Sequence, residues 1–218
     1  MERIVDTIRY FKDHSKQTLR ELLDDGSDQT LQQVQHQVAV RAGFASWSAL
    51  RTADEHERRL AVAMLEHPRL NFSGLGMAFF GNTPREQRMQ EFRASRQSLR
   101  SAAGRVEELR HWLLQTFEPR QTVYDGAGSY GLKHIAEEVL REQMGGYVSN
   151  GELIAAALIA GYVHEQRPGD EPNVWFGMRA AGVKAARAAA DVALKERSRL
   201  GPPTWPDAQG RPGEPSAS

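Results

Sequence analysis

The chain contains no cysteine. That absence removes disulfides, thiolate zinc sites and thiol catalysis together, and it leans against a small secreted domain held by bridges. Long apolar runs are missing too. The longest, residues 153–163 (LIAAALIAGYV), has eleven residues, well short of the ~20 that span a bilayer. Neither sign of charge prevails, since 28 Lys and Arg balance 28 Asp and Glu. No global field therefore draws in nucleic acid or acidic lipid, and an electrostatic partner has to meet a local patch. The opening MERIVDTIRYFKDHSKQ scatters charges among its apolar residues and lacks the apolar stretch of a signal peptide. These absences lead to the expectation of a soluble, cytoplasmic protein with no membrane partner.

With 218 residues, 40% hydrophobic and 26% charged, the composition is that of an ordinary globular protein. Apolar spacing predicts helices almost throughout. Ile4, Ile8, Phe11, Leu19, Leu22 and Leu23 mark a helix over 2–24, interrupted on that stripe by Ser15 and ended by Gly26. Thr30–Leu31–Gln32–Gln33 reads as a capping box opening a second helix, with Leu31, Val34 and Val38 facing the core and Gly43 closing it. A third helix starts at Ser46 and runs to Pro68, with a break around 52–54. Residues 68–83, rich in glycine but also in Phe72, Leu75, Met77, Phe79 and Phe80, predict a packed linker. A long helix over 84–117 follows, with Met89, Phe92, Leu99, Val106, Leu109 and Leu113 on its apolar face. Further helices are expected over 129–144 and from Ser149 or Asn150 to Gly161. After a polar loop at 167–173, Trp175 and Phe176 anchor a last, alanine-rich helix to about residue 200. From residue 201 onward, five prolines and three glycines surround a single large apolar residue, Trp205, which predicts a disordered tail. The expected architecture is all-α: an N-terminal helical module (1–67), the packed linker, a larger helical domain (84–200) and the tail (201–218).

Residues 35–52 fit much of the DNA-binding helix–turn–helix pattern. Ala39 stands where two helices nearly touch, Gly43 where the turn needs positive φ, and Val38, Ala42 and Phe44 at the apolar positions. Ala49 occupies the place of a large apolar anchor, with Leu50 one residue late. If the motif is used, Ser46, Ser48 and Arg51 face the major groove, and only Arg51 can read guanine bidentately. A packed helical corner uses the same residues.

Arg93, Arg96 and Arg100 lie on one helical face, and the last helix carries Arg179, Lys184, Arg187, Lys195, Arg197 and Arg199. Arginines so placed serve either phosphate contact or a solvated face. The 84–117 and 175–200 helices are equally candidates for a protein partner. Tyr130, Lys133 and His134 crowd a helix start, where proton transfer or an anion site is chemically open, against a staple and a solvated lysine. Glu108–His111 gives a single Glu-x-x-His without the second pair a di-iron bundle needs. Gly74-x-Gly76 lacks the lysine of a phosphate loop. A second Ala-x-x-x-Gly, at 157–161, is followed by Pro168 where a helix would have to continue. No catalytic set, metal site or cofactor is expected.

Two stretches carry a family resemblance. Residues 41–50, RAGFASWSAL, resemble a short helical module, Gly-Phe-x-Ser-Trp-x-x-Leu, at the head of glyoxalase-related bacterial proteins. The resemblance covers about residues 4–52 and implies no activity. Residues 129–134 (SYGLKH) with 147–151 (YVSNG) and 155–157 (AAA) resemble uncharacterised proteins of plasmids, integrative elements and prophages, over about 90–178. That likeness implies a mobile-element accessory protein. The functional expectation is non-enzymatic association with DNA or RNA, or regulation, in such an element. A helical adaptor or inhibitor of a host system is the second expectation, and an enzyme built on Tyr130, Lys133 and His134 the third.

Overall fold

The computed structural model describes residues 6–77, 83–169 and 171–200. Ile4, Phe79, Phe80 and the tail with Trp205 lie outside them. Four helices open the fold: α1 (Thr7–Asp24), α2 (Leu31–Arg41), α3 (Trp47–Thr52) and α4 (Glu55–Glu66). Asp6 caps α1 by accepting from the Arg9 amide at 2.9 Å, and Thr7, Phe11 and Ser15 form its buried stripe. Ser15 thus continues the stripe it was expected to break. Its hydroxyl donates to the Phe11 carbonyl one turn back, at 2.8 Å, which satisfies a polar group inside the core. Leu23 departs from expectation in the other direction and is exposed, as is Leu31 at the first turn of α2. The Thr30–Gln33 capping box is present, and the break at 52–54 separates α3 from α4.

The rest of the chain is built around α9 (Asn150–Ile159), whose residues from Asn150 through Ala157 are all buried. Burying Leu153 and Ile154 contributes about 1.5–3 kcal/mol apiece. Ser149 caps α9 in a capping box with Glu152, and the buried Glu152 carboxylate also accepts from Arg105 Nε at 2.6 Å. Against α9 pack α4, α6 (Ala103–Thr116) and α7 (Ser129–Val139); α8 (Arg141–Met144) and α10 (Ala180–Leu200) lie on α7, and α5 (Arg85–Ser101) precedes α6. The expected single helix over 84–117 is two. Ala102 leaves helical geometry at φ −96°, ψ 16°, so α5 packs on the linker while α6 packs on α9. Met89, on the exposed side of α5, is not part of the core. The helix expected over 129–144 likewise divides at Leu140, between α7 and α8.

Two short antiparallel ladders interrupt the helices. The linker contains β1 (Leu70–Asn71) paired with β2 (Gly74–Leu75). It presses on α9 so closely that a Cβ on Gly151 would stand 1.9 Å from the Asn71 carbonyl. Further on, β3 (His164–Glu165) pairs with β4 (Trp175–Phe176). Trp175 and Phe176 are therefore strand residues, and α10 begins only at Ala180. Tyr162, just before β3, donates to the carbonyls of Leu113 and Phe117 at 2.9 and 2.7 Å. Burial pushes that phenol up to about 12, as expected when the charged form loses its water.

The buried residues form two clusters that meet at α4. Ala61 and Val62 join Phe11, Val34, Val38 and Leu50, whereas Leu60, Ala63 and Met64 join the larger core around α6 and α9. One helix is the wall between them. The fold is all-α, and no described helix is long and apolar enough to cross a membrane.

Candidate functional site

The N-terminal hairpin has the turn its sequence asks for. Gly43 sits at φ +96°, and Ala39 is fully buried where α2 and α3 converge. Leu50 is also fully buried, so the anchor expected one place earlier is supplied by Leu50, with Ala49 half-buried beside it. The face beyond the turn is smaller than a reading helix needs. α3 has six residues and is about 9 Å long. Ser46 is its N-cap, its hydroxyl accepting from the Ala49 amide at 3.0 Å. Ser48 and Arg51 are exposed.

Between α2 and α3 lies an open groove of about 590 Å³. Gln32, Gln33, Gln35 and Gln37 line it together with His36, Ser46, Trp47 and Ser48. The exposed lining is mainly apolar, with some polar surface, and none of the lining residues is acidic. The sequence reading named Ser46 and Ser48 but missed the glutamines and Trp47. Their signal was legible as Gln-Gln-x-Gln-x-Gln on the first helix of a candidate helix–turn–helix.

Two arginines of the row are engaged by backbone carbonyls. Arg96 donates to the carbonyls of Met64, Pro68 and Leu70 at 3.1, 2.7 and 2.8 Å. One turn on, Arg100 donates to the Arg41 carbonyl at 3.0 Å. Met64 stands in the last turn of α4 and Arg41 ends α2, so the two guanidiniums meet the carbonyl ends of two helices, where positive charge is favoured. Burial lowers the pKa of both, and Arg100 lowers that of Arg96 further. Arg93 alone of the three is exposed.

Tyr130, Lys133 and His134 do come together, and Glu137 and Tyr147 join them. Lys133 is buried, and its ammonium donates to Glu137 Oε1 at 3.0 Å. The rings of Tyr130 and Tyr147 each lie 5.4 Å from that ammonium. His134 Nδ1 stands 2.5 Å from Glu137 Oε2, and its ring meets Tyr130 edge-on at 4.6 Å. Burial pushes the Glu137 carboxyl upward, but hydrogen bonds from Lys133, the Val148 amide and His134 outweigh it and hold the group below its ordinary value. The lysine is thus an ion-paired strut that ties α7 to the segment before α9. What remains outward is aromatic: Tyr130, Tyr147 and the His134 ring are exposed. Lys133 and Glu137 one turn apart were the sequence signal for this pair.

On α10, Val183, Ala186 and Ala190 face the core while Val192 and Leu194 are exposed. Arg197 is taken by Glu138. The Glu108–His111 pair does not form a site, because His111 turns to Glu107 at 3.3 Å. Among the described residues no group of three or more His, Asp or Glu could hold a metal ion.

No protein-family model matches this chain, and no curated protein or solved structure is significantly similar to it. The site has to be read from its own chemistry.

Proposed function

We propose that this protein is a non-enzymatic, nucleic-acid-associated or regulatory accessory protein, with the groove between α2 and α3 as its contact surface. The observation that carries the reading is the lining of that groove. Gln32, Gln35, Gln37, His36 and Ser48 line it with Trp47, without a carboxylate among them, while the Gln33 side-chain oxygen and the Ser46 hydroxyl, also in the lining, are engaged in the caps of α2 and α3. Glutamine amides pair with adenine edges, and an indole stacks on an unpaired base. Arg51, exposed at the end of α3, is the nearest guanine reader. Within residues 1–67 acidic side chains outnumber basic ones, so few phosphates are neutralised, and affinity is modest with a shallow salt dependence. The resemblance of residues 90–178 to plasmid and prophage proteins supports a role in a bacterial mobile element. Electrophoretic mobility shifts at about 50 mM salt, where electrostatic binding is strongest, test the reading with random duplex, single strand and the native upstream region. Absence of a shift with all three at micromolar protein removes it.

A second reading, a helical adaptor, draws on the exposed rings of Tyr130, His134 and Tyr147. Tyrosine is enriched at the energetic centres of protein interfaces. Such a contact barely responds to salt, which separates it from the first reading.

A further inference from the structure

A cavity of about 440 Å³ opens where the turn at Gly43, α3 and α4 meet α5. Its lining is mixed: Phe44, Ala49, Ala53 and Leu60 give an apolar part, and Thr52, Glu57, Gln97, Ser101 and Arg100 a polar one. The guanidinium is not neutralised there. Among the described residues its one hydrogen bond goes to the Arg41 carbonyl, and its buried Nε has no partner. No acidic group offsets the effect of burial on it. Arg96, one turn away, spends its donors on three carbonyls and adds positive potential without a free fork. Glu57 also lines the cavity, its carboxylate accepting from the Asp54 amide at 3.1 Å. A buried donor left unpaired is costly, and small-molecule sites combine an apolar wall with a few placed polar groups.

We infer that this cavity binds a small monocarboxylate with an apolar body, the carboxylate on Arg100 and the body against Phe44, Ala49, Ala53 and Leu60. A single available guanidinium calls for a single negative charge. The Glu57 carboxylate in the lining repels a phosphate dianion more strongly than a monoanion. The site stands apart from the nucleic-acid reading, since it lies on the other side of the hairpin turn and its readout is ligand binding alone.

Phenylacetate is a suitable probe, with phenylacetamide as its neutral isostere and inorganic phosphate as the bare anion. In ¹H–¹⁵N spectra of the full chain, phenylacetate should shift the amides of Gly43, Ala49, Ala53 and Ser101 saturably. Phenylacetamide should bind at least tenfold more weakly, and phosphate should leave these amides in place. Arg100→Gln should abolish the preference for acid over amide. Because that change also removes a contact to α2, Ala49→Leu serves as the second variant. It fills the cavity, leaves Arg100 in place and should remove binding while keeping the dispersed spectrum. No saturable shift with phenylacetate, equal affinity for acid and amide, binding retained by Ala49→Leu, or phosphate bound as tightly would each overturn the assignment.

Discussion

Arg100 and Arg41 lie fifty-nine residues apart in the sequence, and the guanidinium of the first donates to the carbonyl of the second at 3.0 Å. The contact joins α5 to the carbonyl end of α2. With the bonds from Arg96 to Met64, Pro68 and Leu70, it ties α2, the end of α4 and the linker to α5. Residues that suggested a phosphate face from their spacing are in large part internal fasteners.

Arg96→Ala should therefore act on stability. Three charge-assisted bonds disappear and leave carbonyls at the end of α4 without a donor, for a loss of about 2–3 kcal/mol. Urea unfolding measures it. A change below about 0.5 kcal/mol, the range of ordinary surface substitutions, would mean that water replaces the guanidinium freely.

Glycine substitutions should separate strain from propensity. Gly43→Val places a β-branched residue at φ +96°, with its Cβ 2.6 Å from Arg100 Nε, and should cost about 2 kcal/mol or more. Gly104 is helical with open space around it, so Gly104→Ala should stabilise by up to about 1 kcal/mol. Thermal melts of the two variants should move in opposite directions. Melts that move together would contradict the assignment of either backbone.

Much of the fold was legible because it rests on local rules. The Thr30 capping box, the Gly43 turn and the break before Asp54 are written in adjacent residues. The divisions at Ala102 and Leu140 were not, because alanine and leucine are good helix formers, and Gly104 weakens the first helix two residues past the break rather than at it. The ladders were hidden because each strand is two residues long. At the site, the Tyr130–Lys133–His134 cluster was visible as one helix turn, but Tyr147 reaches it across a loop. The exposure of Ser48 and Arg51 followed from the helix–turn–helix pattern, which also named Ser46, a half-buried cap. The employment of Arg96 and Arg100 did not, since the carbonyls they meet are distant in sequence.

Acid should weaken the fold through a histidine pair. His67 and His164 pack edge to face at 5.2 Å. Burial lowers both pKa values; nearby Glu66 raises that of His67, whereas His67 itself lowers that of His164. Above the ordinary value of 6.5 both rings are neutral folded or unfolded, and they contribute no pH dependence. As pH falls below it, the unfolded chain takes up protons that the folded chain resists, and stability declines until the folded rings protonate. His67→Gln should flatten the urea midpoint between about pH 7 and pH 5, the window of an unperturbed-to-lowered histidine. An equally steep decline in that variant would place the pH dependence elsewhere.

The central claim is that the α2–α3 groove, and not the arginine row, touches nucleic acid. Fluorescence anisotropy with a labelled strand at low salt tests it, comparing Trp47→Ala and Arg51→Ala with Arg96→Ala and Arg100→Ala under conditions where every variant is folded. The groove variants should each weaken binding by about 1–3 kcal/mol, while the α5 variants leave both affinity and salt slope unchanged. Unaltered binding by Trp47→Ala, together with a flattened salt slope in the α5 variants, would contradict the account.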